Sequence, residues 1–397
     1  MPSSTIPRLR SIDILRGIVM VIMALDHVRD FFHHDAALFD PTDMAQTNPL
    51  LFFTRWITHF CAPVFVFLAG SGISLQLARG KPKVEVSKFL LTRGLWLVVL
   101  ELTLVRFGWT FNFNYSTFVF GQVIWVLGWS MVIHAALIYC SLRTVALTGI
   151  VMILIHNLFD GITPGQLGQF GDLWSALHVQ GPITPFGGTW QFFIIYPLIP
   201  WLGVMSVGYA FGALVARPAD NTVLSDERRR KRKLLWLGTG VTAIFLILRA
   251  PNIYGEPHPW NGQQSWPMTV VSFFNTTKYP PSLQFLLMTL GPSIALLPYL
   301  EKWSGRLAGW LSTFGRVPLF YYIIHIPFAH FLVALYGFAK YGSKVLEFGP
   351  GNVPPDWGVN LGWVYVTWIG VIASLYPLCA WYARLKQRSN ARWLSYL

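Results

Sequence analysis

Apolar residues run in long unbroken blocks along this chain. "LLWLGTGVTAIFLIL" and "VYVTWIGVIASLYPLCAWY" are two examples. Strands of a membrane barrel would alternate polarity residue by residue, whereas a helix crossing a hydrocarbon core of ~30 Å needs about 20 apolar residues in a row. The blocks predict ten spans, at roughly 12–33, 52–77, 88–107, 119–140, 143–159, 190–215, 234–250, 280–299, 313–338 and 360–383. The expected fold is therefore all-α: a polytopic integral membrane helix bundle forming one embedded domain over residues 1–397. The basic, interrupted apolar opening segment reads as the first span rather than as a cleavable signal.

Composition agrees. Apolar residues make up 54% of the chain and charged residues 12%, half of the about 25% usual in soluble domains. The net charge of +13 would suggest nucleic acid in a soluble protein. Its distribution suggests topology instead. If both termini are cytoplasmic, 21 Lys and Arg fall in inner segments and 7 in outer ones, as the positive-inside bias requires. The loop 217–233, with "DERRRKRK", would then be cytoplasmic, and the long loops 160–189 and 251–279 would face outward. The partner implied is a lipid bilayer, with a bacterial inner membrane as the expected location and a homo-oligomer compatible with the sequence. Cys61, Cys140 and Cys379 lie far apart in apolar runs and predict neither a disulfide framework nor a metal site.

Ionisable groups inside spans are costly and usually face the bundle interior or a water-filled path. The first span carries Asp13, Arg16, Asp26, His27 and Asp30. At 100° per residue Arg16 and His27 fall within about 20° of one another, and the helical rise separates them by about 16 Å. His59, seven residues into the second span, lies at a depth of about 10 Å like His27. Two imidazoles at one depth, with Asp26 and Asp30 close by, suit a general base whose second ring nitrogen is held by a carboxylate. His325 in the ninth span joins that site or packs elsewhere. Lys278 and Tyr279, in "TTKYPPSL", stand at an outer helix mouth where positive charge is scarce. Glu101 is expected to pair with Arg93 or Arg106. His134 and His156 have no assigned role.

"RLRSIDILRGIVMVIMALDHVRDFF", "RWITHFCAPVFVFLAGSGISL", "YPLIPWLGVMSVGYAFG", "TTKYPPSLQFLLMTLGP" and "GRVPLFYYIIH" resemble the bacterial branch of the heparan-α-glucosaminide N-acetyltransferase-like membrane proteins. The opening block also resembles the wider transmembrane acyltransferase group, in which the first span carries Asp, then Leu-Arg-Gly, then His; here these are Asp13, Leu15-Arg16-Gly17 and His27. The resemblance implies transfer of an acyl group, with acetyl the expected one, from cytoplasmic acyl-CoA to an outer acceptor, usually a sugar. Where lysosomal members carry Asn near the end of this span, this chain has Asp26, and the following loop offers His33 and His34. On that reading Arg8, Arg10, Arg16 and Arg93 would cradle the phosphates of CoA. His27, Asp26, His59 and His325 would form the catalytic group, and Lys278, Tyr279, Asp30 and Arg55 would meet the acceptor. No metal is expected. The competing class, a proton-coupled transporter of a small anionic or sugar-like solute, predicts paired interrupted spans in two halves, and the sequence shows no such symmetry.

Overall fold

A computed structural model describes residues 9–116, 118–184, 190–216, 224–348, 353–389, 391, 394, 396 and 397. It is 74% helical. Among the described residues, six helical segments are long and apolar enough to cross a membrane: Pro49–Ala78, Leu142–Phe159, Leu198–Val215, Leu283–Lys302, Pro318–Leu346 and Leu361–Arg388. The other four expected spans also fall on helices, which are shorter or carry more charge.

In chain order, α1 is Arg10–Phe32. The second span is broken into α2 (Pro49–Trp56), a 3-10 turn (Ile57–Phe60) and α3 (Cys61–Ala78). Next, α4 (Lys83–Leu100) runs through a π turn (Glu101–Val105) into α5 (Arg106–Thr110). Strand β1 (Phe118–Gly121) leads to α6 (Val123–Leu137), α7 (Leu142–Ile155) and α8 (Gly171–Leu177). Strands β2 (Gly181–Ile183) and β3 (Gln191–Ile194) precede α9 (Leu198–Val215) and α10 (Leu224–Arg249). The remainder is α11 (Trp266–Phe274), α12 (Leu283–Lys302), α13 (Arg306–Arg316), α14 (Pro318–Tyr341) and α15 (Leu361–Arg388).

Two features depart from the expected all-α bundle. The three strands form a small sheet in the order β1-β3-β2, with β1 parallel and β2 antiparallel to β3. It takes up the starts of the expected spans 119–140 and 190–215. The expected span 313–338 is likewise two elements. The helix α13 ends at Arg316, and α14 begins at Pro318, where proline is accepted because the first helical N–H has no partner to lose.

Helix α1 lies at the centre, packed against α3, α12, α13, α14 and α15. That explains how a span with six charged residues is held: its neighbours, not lipid, surround it. Its tightest contact is with α13. A Cβ on Gly17 would meet the Leu311 carbonyl oxygen at 1.8 Å, and one on Gly315 would meet that of Asp13 at 1.8 Å. Without a hydrophobic drive between helices in lipid, small residues that let backbones approach supply the packing. By contrast, α15 turns Trp363, Val366, Ile369, Leu378 and Trp381 outward, as a lipid-facing helix does.

Candidate active site

The C-terminal half of α1 delivers Asp26, His27, Arg29 and Asp30 to one end of the bundle. The second span reaches the same point through Arg55, at the end of α2, and Thr58 in the 3-10 turn. Asp26 accepts from Arg55, and its other oxygen lies 3.0 Å from Arg29 Nη2, which also reaches Asp30 at 2.5 Å. Lys278 Nζ stands 3.9 Å from Asp26. Two carboxylates thus face three cations, and the cluster carries one surplus positive charge.

The loop that carries Lys278 and Tyr279 is held from below. Glu256 accepts from the Thr277 backbone N–H at 3.0 Å and from the Ser282 hydroxyl at 2.6 Å. The Tyr279-Pro280 peptide is cis, and the Tyr279 and Tyr196 hydroxyls are 3.5 Å apart.

His27 has a partner that the sequence left open. Its Nδ1 lies 2.7 Å from Nε2 of His325 on α14, and Nδ1 of His325 lies 2.9 Å from the Tyr321 carbonyl oxygen. A carbonyl only accepts, so His325 Nδ1 carries a hydrogen. In a neutral imidazole the other nitrogen, Nε2, then accepts. His27 Nδ1 therefore donates to it, which leaves the lone pair on His27 Nε2 free. The indole of Trp109 meets His27 edge-on at 4.9 Å.

Asp26, His27, Asp30, Arg55, Lys278 and Trp109 line a cavity, with Tyr196, Tyr279, Tyr322 and Gln122 completing its wall. A second, larger cavity adjoins it and shares Arg55, Lys278 and Tyr279. Asp40, Asp43, Gln180, His258, Asn261 and Gln263 line this outer chamber.

The expected site residues separate as follows. Asp26, His27, Asp30, Arg55, Lys278 and Tyr279 come together, and His325 supports His27 from behind. The imidazole that partners His27 Nδ1 is His325 rather than His59. The turn Ile57–Phe60 aims His59 at the outer chamber, where its ring packs 5.3 Å from Phe285. Asp26 does not orient the His27 ring either: its carboxylate faces Arg55 and Arg29, and His325 holds His27 Nδ1. His33 caps the turn that follows α1 by accepting from the Asp35 N–H at 3.2 Å. Glu101 pairs with no arginine: it accepts from the Ile124 and Trp125 N–H groups, each at 3.0 Å, and so caps α6. Arg106 instead binds the carbonyls of Phe118, Asn112 and Asn114.

At the opposite end of α1, Arg16 donates to the Leu68 carbonyl at 2.9 Å. Arg10 is exposed at the helix start. Arg8 lies outside the described residues, as do positions 217–223 of the basic loop. The rest of the expected basic loop 217–233 is helical, the start of α10, where Arg230 Nη2 donates to both oxygens of Glu301 at 2.6 Å.

Sequence reasoning missed Tyr196, Tyr322, Trp109, Gln122 and Thr58. Tyr322 sits in the quoted "YYIIH" block, one helical turn before His325, and that spacing was a usable signal.

Residues 8–250, more than half of the chain, match the family model described as heparan-alpha-glucosaminide N-acetyltransferase, catalytic. The chain belongs to this family. It is thus a member of a membrane acyltransferase family, as the apolar helices require of its surroundings. No curated protein matches it. The family match contains Arg16, Asp26, His27, Asp30, Arg55, His59 and Arg93. Lys278, Tyr279 and His325 lie beyond residue 250, and only the fold brings them to His27.

Proposed function

We propose that this protein moves an acyl group, acetyl in the first instance, from acyl-CoA bound at the cytoplasmic end of α1 to a sugar amine or hydroxyl entering from the outer side. The observation that carries the reading is the His325–His27 pair at the wall of a cavity edged by Arg55, Lys278 and Tyr279. His27 Nε2 is the general base, and His325 is a positioning residue that fixes its tautomer. Arg16 and Arg93, with Arg10 near the surface, meet the phosphates of CoA, for which cationic donors are suited. In this reading the helices cross the membrane ten times, and both termini are cytoplasmic, as the distribution of Lys and Arg favours.

The acceptor nitrogen or oxygen attacks the thioester carbon and gives its proton to His27 Nε2. Lys278 and the Tyr279 hydroxyl supply donors for the oxyanion that forms on the carbonyl. The C–S bond then breaks, and the CoA thiolate leaves with the proton held on His27. The net positive charge of the Asp26 cluster favours the negative charge that develops beside it.

Single-turnover acyl transfer in liposomes tests this. His27→Ala should slow transfer by about 10²–10⁴-fold, the usual contribution of a positioned base, with acyl-CoA binding and the thermal midpoint retained. His59→Ala, on the outer chamber, should cost far less. A folded His27→Ala protein with full activity overturns the assignment of the base. Solute uptake without acyl-CoA consumption would overturn the reaction class.

A further inference from the structure

A second cluster of imidazoles lies away from the site just described. His156 follows the last residue of α7 and opens a 3-10 turn (His156–Phe159), Asp160 comes just after that turn, and His178 is the residue after α8. One ligand atom from each of the three lies within 4.8 Å of the others. His178 Nε2 is 3.1 Å from Asp160 Oδ1. His156 is 1% exposed, and both of its ring nitrogens lack a protein partner; so does Nδ1 of His178.

Leaving a buried polar atom unmatched typically costs about 1–3 kcal/mol. An imidazole packed there only for its shape would be better replaced by a phenyl ring. The Asp160 carboxylate is also already aimed: Asn157 Nδ2 donates to its Oδ2 at 2.8 Å. Such an outer hydrogen bond on a ligating carboxylate is a common feature of metal sites. The indole of Trp174 closes the other side, 4.9 Å from the His178 ring.

We propose that His156, Asp160 and His178 bind one divalent transition-metal ion, of which Zn²⁺ is the best match. Two neutral imidazoles and one carboxylate suit zinc rather than the all-oxygen preference of Ca²⁺ or Mg²⁺. Three protein ligands leave a fourth tetrahedral position for water. The required adjustment is small, since side-chain rotations alone bring atoms 4.8 Å apart to the closer spacing around a common ion.

The position of the site gives it a structural purpose. Asn157 also accepts from the Leu283 N–H at 2.9 Å, which ties this corner to the start of α12 and the Lys278 loop. Two residues beyond His178, Gln180 lines the outer chamber, and Gly181 begins β2. The ion would clamp the segment 160–183 to the end of α7 and so fix one wall of the chamber. No sequence spacing announces this, because 18 residues separate Asp160 from His178. The inference is independent of the acyl-transfer reading.

Zn²⁺ alone is the probe. Detergent-purified protein stripped with a chelator should take up one Zn²⁺ per chain by elemental analysis, and its thermal midpoint should rise. Co²⁺ at the same site should give the visible absorption of a tetrahedral complex. His178→Ala and His156→Ala should each weaken Zn²⁺ binding by at least tenfold. Asp160→Asn, which keeps the shape of the side chain, should do the same while matching the metal-free thermal midpoint of the parent protein, and so keeps the test valid if a histidine variant fails to fold. Folded parent protein that holds no Zn²⁺, or stoichiometric binding that survives Asp160→Asn and both histidine changes, overturns the proposal.

Discussion

Buried arginines are used in two ways in this molecule. Arg249, fully buried at the end of α10, donates to the carbonyls of Phe273, Ser272, Asn275 and His258 at 2.8–3.1 Å. Every arm of its guanidinium is occupied, and all the partners are backbone. Arg29 and Arg55 instead face carboxylates, and Arg29 Nε and Nη1 and Arg55 Nε have no protein partner. The first arrangement is closed: it fastens the loop after α10 to α11 and has no capacity left. The second leaves donors unmatched, and Arg55 lines the cavity on which the proposed function rests. Satisfaction of hydrogen bonds, more than burial or charge, separates a structural cation from one that awaits a ligand.

The largest effect is expected at the closed arginine. Arg249→Ala should strand four carbonyls at about 1–3 kcal/mol each before relaxation. A loss of several kcal/mol should lower the thermal midpoint by many degrees and take activity with it. A variant as stable as the parent would remove the contrast. At the open pair, Arg55→Lys keeps the charge but gives up the planar fork. Losing one charge-assisted hydrogen bond, worth about 1.5–3 kcal/mol, should cut acyl transfer by roughly 10- to 100-fold with a thermal midpoint close to that of the parent. A large fall in stability instead would make Arg55 a second Arg249. The smallest effect belongs to Arg16, whose bond to the Leu68 carbonyl resembles the first type, while the proposed function gives it a ligand. Arg16→Ala should weaken acyl-CoA binding by about tenfold in a direct titration and leave folding intact. Unchanged affinity would return it to the structural class.

Helix positions were legible because a lipid-crossing segment must be apolar along its length, and each of the ten expected spans falls on helix. The sheet was not, because β1, β2 and β3 are only three or four residues long; β1 and β3 continue apolar runs that read equally well as helix, and β2 lies in the expected loop 160–189. The candidate site was legible as a set of residues: Asp26, His27, Asp30 and Arg55 are conspicuous in apolar surroundings. Their partners were not. Helical angles place His27 on a face but do not say which neighbour that face meets, and the answer, His325, lies 298 positions away. Glu101 was misread for the opposite reason. Nearby arginines in sequence suggested ion pairs, whereas the first N–H groups of α6 needed an acceptor more.

The contact of Gly17 and Gly315 with facing backbone carries a further consequence. With no side chain between α1 and α13, there is no soft layer for sliding, and α1 is braced at the turn that bears Arg16. Under the proposed function α1 is then a ruler. Arg16 marks one graduation and His27 another, about 16 Å along the rod, and neither can be moved without the other. A thioester reaches the base only if the arm joining it to the phosphates has the matching length. Selection for the donor would thus be made by distance, by a helix that never touches the acyl group's middle.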